Sequence, residues 1–168
     1  MTLQEKVISV AQSYIGKTEK AGNTGFNDPA FELKMKEVGF VKGQSWCAYF
    51  AELVWKEALK DHSLYGSLDK LFSASAVATA ANFKNSTLFK TGTTPKVGAV
   101  VIWRHGKGWQ GHAGVVETVG KDSFNSIEGN TNAAGGREGI EVARKTRKHP
   151  DGFKANGLNL VCFIYLPE

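Results

Sequence analysis

A chain of 168 residues with 42% hydrophobic and 22% charged residues has an ordinary globular composition and room for one sizeable core, which excludes a disordered or fibrous chain. The net charge of +5 and a pI near 9.2 favour anionic partners such as nucleic acid, teichoic acids or phospholipids, without choosing among them. No basic-plus-aromatic pattern of an RNA-binding sheet and no helix-turn-helix signature accompanies that charge, so nucleic acid is not an expected partner.

Residues 1–15 are interrupted by Gln4, Glu5, Lys6, Ser9, Gln12 and Ser13, and no apolar run approaches the roughly 18 residues that span a bilayer. The expectation is synthesis in the cytoplasm without a signal peptide and no membrane insertion. Thr2 and Glu5 form a capping-box pattern, after which Leu3, Val7, Val10, Ala11 and Tyr14 recur at helical spacing until Gly16. A polar loop over 17–27 leads to Asp28 and Pro29, a cap and first-turn pair, and Phe31, Met35 and Val38 form the stripe of a second helix ending at Gly39. Ser45 is the expected cap of a third helix over 46–60, apolar on most of its circumference and therefore central. Ser73 or Ser75 starts a shorter helix through Ala76, Val77, Ala80 and Ala81.

From Pro95 onward the pattern changes to short β-branched or alternating runs at 97–103, 112–119, 123–129, 140–147 and 160–166. Helices first and strands afterwards predict a single α+β domain over 1–168, with N-terminal helices packed on a C-terminal antiparallel β-sheet. Only two cysteines are present, so no disulfide framework is expected. Cys162, inside the apolar run Leu160-Val161-Cys162-Phe163-Ile164-Tyr165, is a core residue.

Cys47 is different, because it falls in the first turn of the expected central helix. Unpaired backbone N–H groups and the positive end of the helix dipole favour an anion there. A cysteine nucleophile also needs a base, and the candidates are His62, His105, His112 and His149. His62 follows a helix and His149 precedes a turn, so both are expected in solvent, and His105 sits in a glycine-rich link. His112 opens the run His112-Ala113-Gly114-Val115-Val116 behind Gly111, where glycines allow close approach beside the imidazole. In Ser126-Ile127-Glu128-Gly129-Asn130, Glu128 and Asn130 are two apart and would face one way on an extended chain. A short hairpin through Gly120-Lys121-Asp122 would bring Glu128 beside His112, where a carboxylate fixes the ring tautomer. By itself that segment is equally a polar strand end.

Four blocks together, Ser45-Trp46-Cys47-Ala48-Tyr49-Phe50, Val97-Gly98-Ala99-Val100-Val101-Ile102-Trp103, Gly111-His112-Ala113-Gly114-Val115-Val116 and Ile127-Glu128-Gly129-Asn130, resemble the CHAP family of cysteine- and histidine-dependent amidohydrolases and peptidases. The resemblance implies a papain-like (NlpC-type) fold and cleavage of amide bonds in peptidoglycan, by an amidase or endopeptidase. It implies Cys47 as nucleophile, His112 as general base, Glu128 as orienting acid and Asn130 as a supporting polar residue. Backbone N–H groups at the helix start, with the Gln44 side chain as a further contributor, would form an oxyanion hole.

Trp46 and Trp109 are expected to contact substrate beside Gln44, and Trp103 either lines a groove or packs in the core. Some members of the family bind calcium ahead of the cysteine, but residues 22–28 carry one carboxylate, so neither a metal nor any other cofactor is expected. The basic stretch Arg144-Lys145-Thr146-Arg147-Lys148-His149 reads as a solvated strand end, and the loops 17–27 and 131–139 as borders of the cleft. Such an enzyme would act at the bacterial cell wall after release or delivery, as a phage lysin, a tail-associated enzyme or an antibacterial effector. A phage delivery component or an immunity protein would be its partner. Two other functions stand beside this one: a non-catalytic wall-binding module of a phage tail, and a cytosolic amidase acting on a small peptide conjugate.

Overall fold

The computed structural model describes residues 1–131 and 140–168. Thr2 caps α1 (Leu3–Ser13): its hydroxyl accepts from the Glu5 backbone N–H at 3.1 Å, while the Glu5 carboxylate accepts from the Thr2 N–H at 2.6 Å. That reciprocal pair satisfies donors that a helix start otherwise leaves open. The expected loop after α1 holds a two-strand ribbon, β1 (Glu19–Lys20) and β2 (Gly25–Phe26). In α2 (Pro29–Glu37) Pro29 opens the first turn and the Asp28 carboxylate accepts from the Phe31 N–H at 3.0 Å.

The central helix α3 (Cys47–Ala58) is shorter than the expected 46–60, and its cap position is Trp46 rather than Ser45, with no side-chain cap bond. The first N–H groups of this helix are therefore not satisfied by a capping side chain. A 3₁₀ turn (Tyr65–Ser67) and the single-turn α4 (Leu68–Leu71) follow, neither of which has a periodic stripe long enough to show in the sequence. Ser75 caps α5 (Ala76–Asn85) through the Ala78 N–H at 3.1 Å.

The remaining strands are β3 (Thr91–Gly92), β4 (Val100–His105), β5 (Gly111–Val119), β6 (Ser123–Thr131), β7 (Glu141–Lys148) and β8 (Leu158–Ile164). They form one antiparallel sheet in the order β3-β8-β4-β5-β6-β7. Strand β4 starts at Val100 and not at 97, because Gly98 turns the chain at φ +84°, with the Leu166 side chain where a Cβ would sit. The α+β order of helices first and antiparallel sheet afterwards is the observed one.

The two faces of the sheet are covered differently. The inner face carries Val100, Ile102, Ala113, Val115 and Ile127 against α3, α1 and α5, and it holds most of the buried aromatic side chains. Phe26 meets Phe31, Phe40 and Trp46 edge-on at 4.9–5.0 Å between ring centres. The Trp55 indole N–H donates to the Gly98 carbonyl at 3.0 Å, tying α3 to the turn before β4. On the outer face Ala99, Val101, Trp103, Val116, Phe124 and Phe163 form a second apolar cluster. It floors an open cavity of about 810 Å³ whose lining, including Arg147, His149 and Leu158, comes from strands and loops. Among the described residues no helix is long and apolar enough to cross a membrane.

Candidate active site

Cys47 is the first residue of α3 and is almost fully buried. Its neighbour is His112, at the start of β5 and completely buried, whose ring interacts with both the Cys47 thiol and the Glu128 carboxylate. The β5–β6 hairpin turns at Gly120, whose N–H donates to the Ser123 carbonyl at 2.8 Å, and carries Glu128 back to the imidazole. Nε2 of His112 lies 2.8 Å from Oε1 of Glu128. Nδ1 has no nitrogen or oxygen partner among the described residues, and with Nε2 engaged it is the nitrogen left for the thiol.

Glu128 is completely buried and saturated with donors. Ser126 Oγ donates to Oε2 at 2.5 Å, Arg147 Nε donates to Oε2 at 2.9 Å, and Arg147 Nη2 donates to Oε1 at 2.5 Å. Burial opposes the charge on Glu128, but His112 and Arg147 outweigh it and hold the carboxyl down to about 2. Burial likewise opposes the imidazolium, yet Cys47 and Glu128 together raise His112 to about 9. Trp103, paired with His112 across β4 and β5, stacks on the ring at 5.7 Å and 22°.

The glycines of these blocks have steric reasons. A Cβ on Gly114 would stand 2.7 Å from Cγ of Glu128, so the space beside the imidazole is the space the glutamate fills. A Cβ on Gly129 would stand 2.6 Å from the Trp46 ring and 2.7 Å from Cβ of Phe50, so only glycine lets β6 press this closely against the start of α3.

Several expected roles change. Asn130 does not continue the extended strand: its φ is +53° and the β6–β7 register slips between Glu128 and Thr131, so two-residue alternation with Glu128 fails there. It is buried, and its amide oxygen has no partner among the described residues. Trp46, expected to touch substrate, is completely buried against Phe26 and Phe31 and offers no surface to a ligand. Trp109 is 78% exposed in the β4–β5 turn. Gln44 is exposed, and the Tyr49 hydroxyl donates to its Oε1 at 2.7 Å, which leaves the amide nitrogen as its donor.

The basic stretch is solvated on one side only: Arg144, Thr146 and Lys148 are exposed, whereas Arg147 is drawn toward the site. Arg147 holds Glu128, and Arg144 holds Glu117 with Nε at 2.6 Å and Nη2 at 2.7 Å. His149, expected in solvent, packs on Phe124 and Phe163, whereas His62 Nδ1 accepts from the Leu64 N–H at 3.1 Å.

Arg147 and Ser126 are the site residues that sequence reasoning missed. The available signal was parity: Phe124, Ser126 and Glu128 share one face of β6, and Arg147 pairs opposite Phe124 on that face. In residues 22–28, which correspond to the calcium-binding region of some family members, Asp28 is occupied as a helix cap and as the partner of Lys17 at 2.6 Å. No cluster of three or more metal-ligating side chains occurs among the described residues. The loop 17–27 approaches the segment before the cysteine, with the Gly43 N–H donating to the Asn23 carbonyl at 2.8 Å. Beyond Thr131, the other expected border of the cleft lies outside the described residues.

The chain matches no curated protein. Its fold is similar to the crystal structure of a wild-type endolysin, LysIME-EF1, at 18% sequence identity and a TM-score of 0.51. That likeness covers 99% of this chain and 65% of the endolysin chain, so this protein spans less than two thirds of the endolysin's length. The CHAP domain model matches residues 39–130, more than half of the chain and the whole stretch from before Cys47 to Asn130. The chain therefore belongs to the CHAP domain family, the cysteine- and histidine-dependent amidohydrolases and peptidases.

Proposed function

We propose that the chain is a cysteine-dependent peptidoglycan hydrolase of papain-like, NlpC-type fold, its 168 residues acting as one catalytic domain. It cuts amide bonds of bacterial cell-wall peptide, either between sugar and stem peptide or within the peptides. The observation that carries this reading is a single buried imidazole, His112, held by Glu128 through Nε2 and meeting Cys47 at the start of the central helix. A cysteine nucleophile needs that arrangement: a base within reach, and a third group that fixes the base's tautomer. Family membership supports the reaction class, and the net charge of +5 suits an anionic envelope.

In the proposed reaction His112 takes the thiol proton, and Sγ of Cys47 attacks the amide carbonyl carbon. The carbonyl π electrons move to oxygen, where the open N–H groups at the start of α3 stabilise the anion, with Gln44 as a side-chain donor. The C–N bond breaks, the amine leaves with the proton held by His112, and a thioester to Cys47 remains. Water, deprotonated by His112, then attacks the thioester, releasing a carboxylic acid and restoring the thiol. Glu128 stays ionised throughout, which keeps Nε2–H pointed at it and Nδ1 facing sulfur. The enzyme acts at the cell wall after release or delivery, with a phage component or an immunity protein as its counterpart.

The test is mass spectrometry of the products released from purified peptidoglycan by the wild type and by Cys47→Ala. New amine and carboxyl ends with the wild type only support the proposal and identify the bond. Equal inactivity of both on walls from several cell types, with a reductant present, overturns it in favour of a wall-binding module. Turnover confined to small peptide conjugates moves it to an amidase of that class.

A further inference from the structure

Among the described residues Glu128 has four hydrogen bonds, of which one goes to His112 and two go to one guanidinium. The Arg147 fork is planar and grips both carboxylate oxygens, so it fixes the plane of Glu128 as well as its charge. The guanidinium carbon also lies 4.9 Å from the centre of the Trp103 ring, the ring that stacks on His112. One cation thus touches both groups that hold the imidazole, its hydrogen-bond acceptor and its stacking partner. The Arg147 side chain is 21% exposed, and it lines the outer cavity, so it forms the wall between that cavity and the buried pair.

We propose that Arg147 is a positioning residue of this site, acting through Glu128 and Trp103 to hold His112 in the orientation and charge state that Cys47 requires. The inference rests on the reading of Cys47, His112 and Glu128 given above, but not on peptidoglycan as the substrate. Among the described residues, the titratable and charged groups that act on the pair are Cys47 from α3 and Arg147 from β7. Lys145, opposite Ser126, lies on the same face of β7 between Ala143 and Arg147, and His149, against Phe124 and Phe163, lies beyond the end of the strand. Arg147 alone among them binds Glu128 through two nitrogens.

The sign of the effect follows from charge. Glu128 divides its negative charge between two cations, so removing Arg147 leaves the carboxylate to His112 alone and tightens the ring's hold on its proton. The same removal leaves Glu128 easier to protonate. Both ends of the working pH range therefore move upward, and the loosened carboxylate no longer defines the angle of the ring.

The experiment is NMR titration of the His112 ring in the wild type, Arg147→Met and Arg147→Lys, with the wall-hydrolysis rate measured beside it. In Arg147→Met the expected result is a titration moved up by about one pH unit and kcat lower by on the order of 100-fold. Arg147→Lys, which keeps the charge but not the fork, restores the titration and leaves kcat depressed. In a Glu128→Gln background Arg147→Met moves the titration by less than it does in the wild type, because the route through Glu128 is already cut and only the Trp103 contact remains. An unchanged titration in Arg147→Met overturns the proposal. If Arg147→Met does not fold, Arg147→Lys decides: wild-type kcat there overturns the proposal, and a wild-type titration with low kcat supports it. The titration needs no substrate, so inactivity on peptidoglycan with the predicted titrations would overturn the substrate reading and leave Arg147 in place.

Discussion

Arg144 and Arg147 stand three residues apart on β7, and each grips a carboxylate with two of its nitrogens. The Arg144 side chain is 48% exposed, and the third bond to its partner Glu117 comes from Gln12 of α1 at 2.8 Å. That pair fastens the first helix to the sheet. The partner of Arg147 is completely buried, and its other bonds come from Ser126 and from an imidazole that meets a thiol. The same clamp is a staple in one place and part of the proposed active site in the other, and what decides is the carboxylate's remaining partner. Glu52 completes the contrast as a buried carboxylate on α3 without an arginine. Burial pushes it up to about 8, with Asp69 raising it further and Lys56 only partly offsetting the rise, whereas Glu128 is held down to about 2.

The largest break in this comparison is Glu128→Ala, which leaves the Arg147 guanidinium and the His112 ring without their acceptor. Removing one partner of a buried pair costs about 3 kcal/mol, so denaturant unfolding is expected to show that loss together with near-complete loss of hydrolysis. Arg144→Met sharpens the contrast from the other side. Its arginine is half exposed, but Glu117 is nearly buried and would keep only the bond from Gln12, so the expected loss is about 2 kcal/mol, with wall hydrolysis at the wild-type rate.

Glu52→Gln gives the smallest effect, and its sign depends on pH. The folded state holds the Glu52 proton up to about 8, above the unfolded carboxyl, so its contribution to stability is complete below about 4.5 and is lost as pH rises through 8. Thermal unfolding at pH 8.5 is expected to show the glutamine variant more stable than the wild type by a few degrees, on the order of 1 kcal/mol, with the difference gone at pH 4. Glu128 runs the opposite way. Its contribution is present above about 4.5 and erodes as pH falls toward 2.

Much of this arrangement is legible in the sequence, because caps and periodicity are local. Thr2, Asp28 and Ser75 announce their helices, and the β5–β6 hairpin that joins His112 to Glu128 turns within a few residues. Other features depend on partners far along the chain. Trp46 occupies the cap position of a helix that is apolar nearly all round, so no pattern shows that its ring turns into the core against Gly129. Asn130 leaves the alternation through a bulge that only the β6–β7 register defines. Arg147 sits in a run of basic residues that looks solvated until β7 is paired and its alternate side chains are sorted to faces.

The most direct measurement follows alkylation of Cys47 by iodoacetamide, with peptide mass spectrometry and residual wall hydrolysis measured on the same samples. The thiol at the start of α3 is expected to react, and Cys162, buried and with its thiol pushed up by that burial, to stay unmodified. Loss of activity in one-to-one proportion to modification of Cys47 is the predicted result, and full hydrolysis by enzyme whose Cys47 is completely alkylated would contradict it.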